Sequence, residues 1–215
     1  MTAQPAADGA PRPGRPRDTE LDERVLTAAL DVYGRNGWAG FNFDAVAKAA
    51  GCGRPALYRR WRSKRELMLA AFRAHDATLD IKDEGPVRDQ LAAVAEQIFR
   101  QNLTSHGLAT MRMALDGVED EELWEDWDAI RRARIQTARE IVRRGIDRGE
   151  LASDTSASRL LNSISGAMIS EAMTIPPFDR EAAAASAGKR AERLVDFLLF
   201  EAPGLMPQRV AGKER

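Results

Sequence analysis

Two short helix signals meet at Gly51, and they limit the fold of this 215-residue chain more than any other stretch. Asn42 is a good N-cap, Asp44 sits just inside where a carboxylate favours the helix dipole, and Ala45, Val46 and Ala49 recur on one face. Gly51 ends this segment after about two turns, in the left-handed backbone that glycine adopts at least cost. A further short helix is predicted over 54–61, with Pro55 tolerated because a first turn needs no internal N–H donor. Ser63-Lys64-Arg65-Glu66 has the S-x-x-E form of a capping box and opens a fourth helix, carried by Leu67, Leu69, Ala70, Ala71, Phe72 and Ala74 toward Asp80. Ahead of them, Val25, Leu26, Ala29, Leu30 and Tyr33 mark an opening helix that Asp18 or Thr19 can cap and Gly37 can end.

Two short helices joined through a glycine turn form a helix-turn-helix, whose second helix enters the major groove of DNA with its N-terminal residues near base edges. That helix carries Arg54, Tyr58, Arg59 and Arg60, and the planar guanidinium fork suits guanine edges or phosphate oxygens. Trp61 is expected in the core and Tyr58 at a phosphate. Charge agrees. The chain as a whole is at −1, but residues 11–65 hold twelve Lys or Arg against six Asp or Glu, so one end is basic and the rest acidic. The plain alternative is a solvated basic face on an ordinary helical corner.

The stretch GWAGFNFDAVAKAAGCGRPALYRRWRSKRELM resembles the TetR family of bacterial regulators. Gly37-Trp38, Ala50-Gly51, Leu57-Tyr58, Trp61, Ser63-Lys64 and Leu67 match that family's pattern in order and spacing, over about a quarter of the chain. Cys52-Gly53 depart from a common Val-Ser, Asn42 stands where Thr or Ser is common, and Arg65 replaces a common Glu. The resemblance implies phosphate contacts from Tyr58 and Lys64, a backbone contact near Asn42, and a base-facing edge of Arg54, Ala56, Arg59 and Arg60. On this reading Arg60→Ala or Tyr58→Ala abolishes tight operator binding without unfolding the protein.

Helix signals continue to the end and strand alternation does not occur, so the fold class is all-α. Further helices are predicted from Gly85-Pro86 to Leu103, over 107–118, over 120–148, over 155–173, and from an Asp179 cap to Glu201. The organisation expected is a basic arm over 1–17, a three-helix helix-turn-helix domain over 18–65, a larger helical effector-binding and dimerisation domain over 66–202, and a tail over 203–215. The arm is too rich in Pro, Ala and Gly to order itself, and its Gly-Arg-Pro-Arg core places Arg15 and Arg17 as candidates for a narrow A·T-rich minor groove.

In the body, Phe99, Met111, Trp124, Trp127 and Met168 are the candidate ligand-pocket residues, because the resemblance implies a small-molecule effector there; core packing is the plain alternative. Leu161, Ile164, Met168, Leu194, Phe197 and Leu198 give the apolar faces expected at a homodimer interface, since two half-sites need two reading heads. Two His and one Cys are a thin supply for metal or nucleophile chemistry, and no Walker loop, G-x-S-x-G or H-E-x-x-H occurs, so neither an enzyme, a cofactor nor a metal site is expected. No apolar run approaches the roughly 18 residues that span a bilayer, and no secretory leader is evident, so the expected location is the cytoplasm. The expected partners are a double-stranded DNA operator, a second copy and an effector. The expected role is a repressor, with an activator or a ligand-free regulator as variants and a helical enzyme or interaction module as the other class.

Overall fold

A computed structural model describes residues 19–75 and 85–201, and every element in them is helical. Helix α1 spans Thr19–Gly40 with a kink at Gly37 (φ 64°), the glycine expected to end it. Then come α2 (Phe43–Ala50), α3 (Arg54–Tyr58), α4 (Lys64–His75), α5 (Val87–Asn102), α6 (Ser105–Asp116), α7 (Glu121–Asp147) and α8 (Ala157–Thr174). A 3-10 turn at Pro177–Asp179 leads to α9 (Arg180–Ala185), α10 (Ala187–Asp196) and a wider final turn at Phe197–Glu201.

Local chemistry explains most boundaries. Asp120 accepts from the Leu123 N–H and Ser156 from the Arg159 N–H, so each supplies a partner for an orphan donor in a first turn. The last segment departs from the expected single helix. Asp179 makes no side-chain cap, and the Ala-rich run breaks at Ser186, whose hydroxyl donates back to the Ala183 carbonyl (3.0 Å) while Arg190 Nε donates to it (2.9 Å). A serine hydroxyl that competes for backbone groups in this way interrupts a helix that composition alone would continue.

Two apolar cores organise the molecule. The first is built on Val25, Leu30, Tyr33, Phe41, Val46, Leu57, Trp61, Leu67, Met68 and Phe72, and it takes in Ala109 and Met113 from α6 and Leu123 from α7. Helix α4, which runs on past the boundary expected at residue 65, packs with the N-terminal unit, and α6 lies along α1 as part of the same core. The second core joins Leu91, Phe99, Ile141, Val142, Leu160, Ile164, Met168, Ala191 and Val195, so α5 sits among α7, α8 and α10. Helix α7 runs through both.

Ion pairs fasten the second core at its edges. Arg88 donates bidentately to Asp196 (2.8 and 2.7 Å), linking the start of α5 to the end of α10. Glu150 accepts from the Val87 N–H (2.6 Å) and so caps α5 from a turn that is distant in sequence. The hydrogen bond from Arg88 holds the Asp196 carboxyl below its ordinary value of 3.8, and the Val87 N–H holds Glu150 below 4.5. A carboxylate whose folded pKa is depressed contributes stability that is complete above its unfolded value and is lost as pH falls through the folded one. The melting temperature should therefore fall as pH drops below about 4.5. In an Asp196→Asn, Glu150→Gln double variant the fall should be shallower and start from a lower plateau. Parallel melting-against-pH curves would discount these two groups.

Candidate nucleic-acid interface

The turn between α2 and α3 is built as the sequence suggests. Asn42 Oδ1 accepts from the Ala45 N–H (2.9 Å) and its amide donates to the Gly40 carbonyl (3.2 Å), so both ends of the side chain serve the cap. At the other end Gly51 has φ 65° and ψ 39°, its N–H bonds the Lys48 carbonyl (3.3 Å), and the Cys52 N–H bonds the Ala47 carbonyl (3.0 Å). This paired pattern is the left-handed helix stop that favours glycine. Gly53 precedes α3 without a side-chain cap, and Pro55 occupies its first turn. Helix α3 is shorter than the expected 54–61; residues 59 and 60 turn so that the N–H groups of both Arg60 and Trp61 reach the Leu57 carbonyl (2.9 Å each).

Five helical residues cannot hold themselves together in water. Leu57 (fully buried) and Trp61 (8% exposed) pin α3 to the first core, and Ala56 is half-buried against it. What remains outward is Arg54, Tyr58 and Arg59. Tyr58 is 59% exposed, with its ring edge-on to Phe43 at 4.6 Å, so the hydroxyl is carried outward on a braced ring. Arg54 pairs with Asp44 of α2 in a solvent-exposed contact. Arg59 is exposed, and no side-chain partner is seen for it among the described residues.

Arg60 is placed differently from the expectation of a base-facing residue. Its Nε pairs with Asp22 of α1, its Nη1 donates to the Ala56 carbonyl (3.1 Å), and only 18% of its side chain is exposed. It is a strut between α1 and the end of α3. Lys64 lies with its ammonium 3.9 Å from the Trp38 ring centroid and donates to the Trp38 carbonyl (2.9 Å). An ammonium has three donors, so others remain for an anion. The capping box is also shifted. Ser63 Oγ accepts from the Glu66 N–H (3.1 Å), but Glu66 returns to the N–H of Arg62 (2.7 Å) and not to that of Ser63. Arg15 and Arg17 lie outside the described residues.

The ligand-pocket and dimer candidates are not brought together as expected. Phe99 and Met168 are fully buried in the second core, Trp127 packs on the first, Met111 is half-buried, and Trp124 is 46% exposed beside Gly117. They do not line one cavity. Of the interface candidates, Leu161, Ile164, Met168 and Leu198 are buried inside the protomer, Leu194 is half-buried, and Phe197 is exposed. Periodicity marks an apolar face but not whether it meets its own chain or another. The exposed apolar side chains near these helices are Met173, Phe178, Phe197 and Phe200, which sequence reasoning passed over apart from Phe197. Of the candidates, Met168, Leu194 and Phe197 line the second of two cavities. One of about 640 Å³ sits between α1, the end of α4, α5 and the start of α6, lined by polar residues that include His75, Arg100 and His106. Another of about 510 Å³ lies between α8 and α10. Among the described residues, no helix is long and apolar enough to cross a membrane, and no cluster of metal-ligating side chains occurs.

Comparison with known proteins agrees with this architecture. Residues 25–71 match the family described as bacterial regulatory proteins, tetR family, and residues 81–189 match the tetracyclin repressor-like C-terminal domain. An HTH-type transcriptional regulator of Mycobacterium tuberculosis is 32% identical over 165 residues, covering 74% of this chain and 77% of its own. The HTH-type transcriptional regulator AqdR of Rhodococcus erythropolis is 30% identical over 155 residues, 70% of this chain and 73% of that protein. Among solved structures, FadR of Bacillus subtilis in complex with stearoyl-CoA superposes with a TM-score of 0.62 at 16% identity, over 82% of this chain and 97% of that one. GusR of Salmonella enterica gives 0.62 at 18%, over 85% and 97%. At these identities the structural likeness speaks to fold.

Proposed function

This chain belongs to the TetR family of bacterial regulatory proteins and is a DNA-binding transcriptional regulator, not an enzyme, and we propose that it works as a ligand-responsive repressor that grips a palindromic operator as a homodimer. The observation that carries this reading is the outward edge of α3, where Arg54, Tyr58 and Arg59 stand on a buried Leu57–Trp61 footing beside Lys64. Arg54 and Arg59 take base edges; Tyr58 and Lys64 take phosphates and fix the register. Selection of duplexes from a random library by the full chain tests this. Paired inverted half-sites, bound less tightly as salt rises, are expected. A single unpaired site, or no enrichment, would remove the palindrome. Deleting the gene should raise expression from the selected site, and a fall would make the protein an activator.

Two copies are needed for two half-sites, and Met173, Phe178, Phe197 and Phe200 are exposed apolar side chains on the body's last elements. Sedimentation should return twice the 23.7 kDa chain mass at micromolar concentration. The effector is a small molecule that binds the DNA-incompetent arrangement more tightly, since equal affinity for both arrangements shifts nothing. The stearoyl-CoA complex of B. subtilis FadR supports a small-molecule ligand, and the 640 Å³ cleft would let one touch both units. No resident cofactor or metal is proposed, and the place of work is the cytoplasm, beside the DNA. The basic arm adds a minor-groove contact through Arg15 and Arg17. Removing residues 1–17 should leave the melting temperature unchanged and weaken operator binding severalfold, and equal affinity would dismiss the arm.

A further inference from the structure

Arg65 stands next to Lys64 at the start of α4, where a second basic side chain would ordinarily be read as another phosphate contact. Its geometry says otherwise. Nε donates to Asp126 Oδ2 (2.7 Å), Nη1 pairs with Glu122, and Nη2 donates to the Glu122 carbonyl (3.3 Å). All three nitrogens are turned toward the first turns of α7, 57 and 61 residues further along the chain. Asp126 is only 15% exposed, and Arg65 is 35% exposed. The hydrogen bond to Asp126 also holds the Arg65 guanidinium more firmly charged than usual.

A second tie lies alongside. Asp116, at the end of α6, accepts from the Trp38 N–H (2.9 Å), and Trp38 in turn receives Lys64 on both its ring and its carbonyl. The first turn of α4 is thus fastened to the body on both sides of the α6–α7 corner, through Trp38 to Asp116 and through Arg65 to Asp126 and Glu122. A guanidinium can span two acceptors in this way because its donors form a rigid planar fork, whereas an ammonium would serve one point. The sequence departure at this position, Arg where the family commonly has Glu, then has a structural meaning. A glutamate here would face two carboxylates.

We propose that Arg65 is a positioning residue for DNA reading, which sets the angle of the helix-turn-helix against α7 and thereby the half-site spacing that the dimer accepts. It touches no phosphate. Its effect passes through α4, whose first turn carries Lys64 and whose Leu67 and Met68 share the core with Leu57 of α3. Losing the strut lets each head swing, which weakens binding to the preferred spacing and lets near spacings compete.

The proposal rests on the two-headed reading above. Selection by the native protein tests that reading separately, because it returns paired half-sites or a single site before any variant is made. The experiment measures binding of the full-length native protein and of Arg65→Ala, Asp126→Ala, the double variant and Arg65→Lys. The probe is the selected duplex and versions with the half-sites moved by one base pair in or out, over a salt series, with melting curves to confirm folding. Arg65→Ala and Asp126→Ala should each lose about three- to tenfold on the preferred spacing and much less on the shifted ones, a loss inside the range for residues in contact. The double variant should lose no more than either single one, Arg65→Lys should fall between, and the slope of log affinity against log salt should stay at the native value. If Arg65→Ala instead flattens that slope by about 0.9 while Asp126→Ala binds like the native protein, Arg65 is a phosphate contact and the proposal is overturned. Equal losses at every spacing would overturn it as well.

Discussion

Arg59→Ala should bind the selected operator about tenfold to a hundredfold more weakly with an unchanged melting temperature, because a good bidentate base contact is worth about 1–3 kcal/mol. Arg59 is exposed, and its side chain holds nothing within the protein that the structure describes, so its removal costs the fold little. Its neighbour should behave in the opposite way. Arg60 is mostly buried, paired with Asp22 and bonded to the Ala56 carbonyl, so Arg60→Ala strands the Asp22 carboxylate at the α1–α3 seam. A pair of intermediate burial lies between the exposed and buried cases, at about 1–2 kcal/mol. For a chain of this size that is a fall of several degrees, at about 2–4 °C per kcal/mol. Gel-shift titration and thermal melting on the two variants separate reading from support. The sequence-based expectation that Arg60→Ala spares the fold is the one this pair of measurements would reverse. If Arg60→Ala melts with the native protein and Arg59→Ala binds with native affinity, the assignment of the α3 edge is wrong.

The contrast between these adjacent arginines shows which parts of the molecule can be read from sequence. Features set by neighbours within a few residues are legible: Asn42 as a cap, Gly51 as a left-handed stop, and Pro86 ahead of α5. Each depends on a backbone group three or four positions away. The two-helix turn, and with it the site, rests on such features. What fixes the use of a side chain is often a partner far along the chain. Asp22 is 38 residues from Arg60, and Asp126 is 61 from Arg65. No local pattern predicts either pairing, so four arginines that look alike in sequence divide into Arg54 and Arg59 at the surface and Arg60 and Arg65 as struts. The body was less legible for a related reason. The apolar stripe of α8 is real, but Leu161, Ile164 and Met168 meet α5 and α10 of the same chain and are therefore closed to a partner. Likewise, Phe99 and Trp127 read as one group of large apolar side chains, yet they belong to two different cores.

Gly107→Ala should be the most damaging glycine-to-alanine change among the described residues. A Cβ built there falls 2.4 Å from the Asn102 Cα and 2.7 Å from the Gln101 carbonyl oxygen, both backbone atoms that cannot rotate aside. Only Leu103 and Thr104 separate α5 from α6, so relief requires the two helices to move apart. Overpacking of this kind typically costs about 1–3 kcal/mol, and more where backbone must shift. That predicts a loss of about 3–10 °C in melting temperature for a chain of this length. The damage should not stay local. His106 shares this corner, with Gln101 bonded to its Nε2 (3.0 Å) and the Phe72 ring of α4 edge-on at 5.7 Å. Helix α6 then runs along α1 and ends at Asp116, which holds Trp38. Displacing the start of α6 therefore displaces the seat of the reading head, and operator affinity should fall together with stability. A Gly107→Ala protein that melts within a degree of the native one would mean that α5 and α6 do not approach as closely in solution as described. One that melts low but binds DNA natively would mean that α6 does not hold the head.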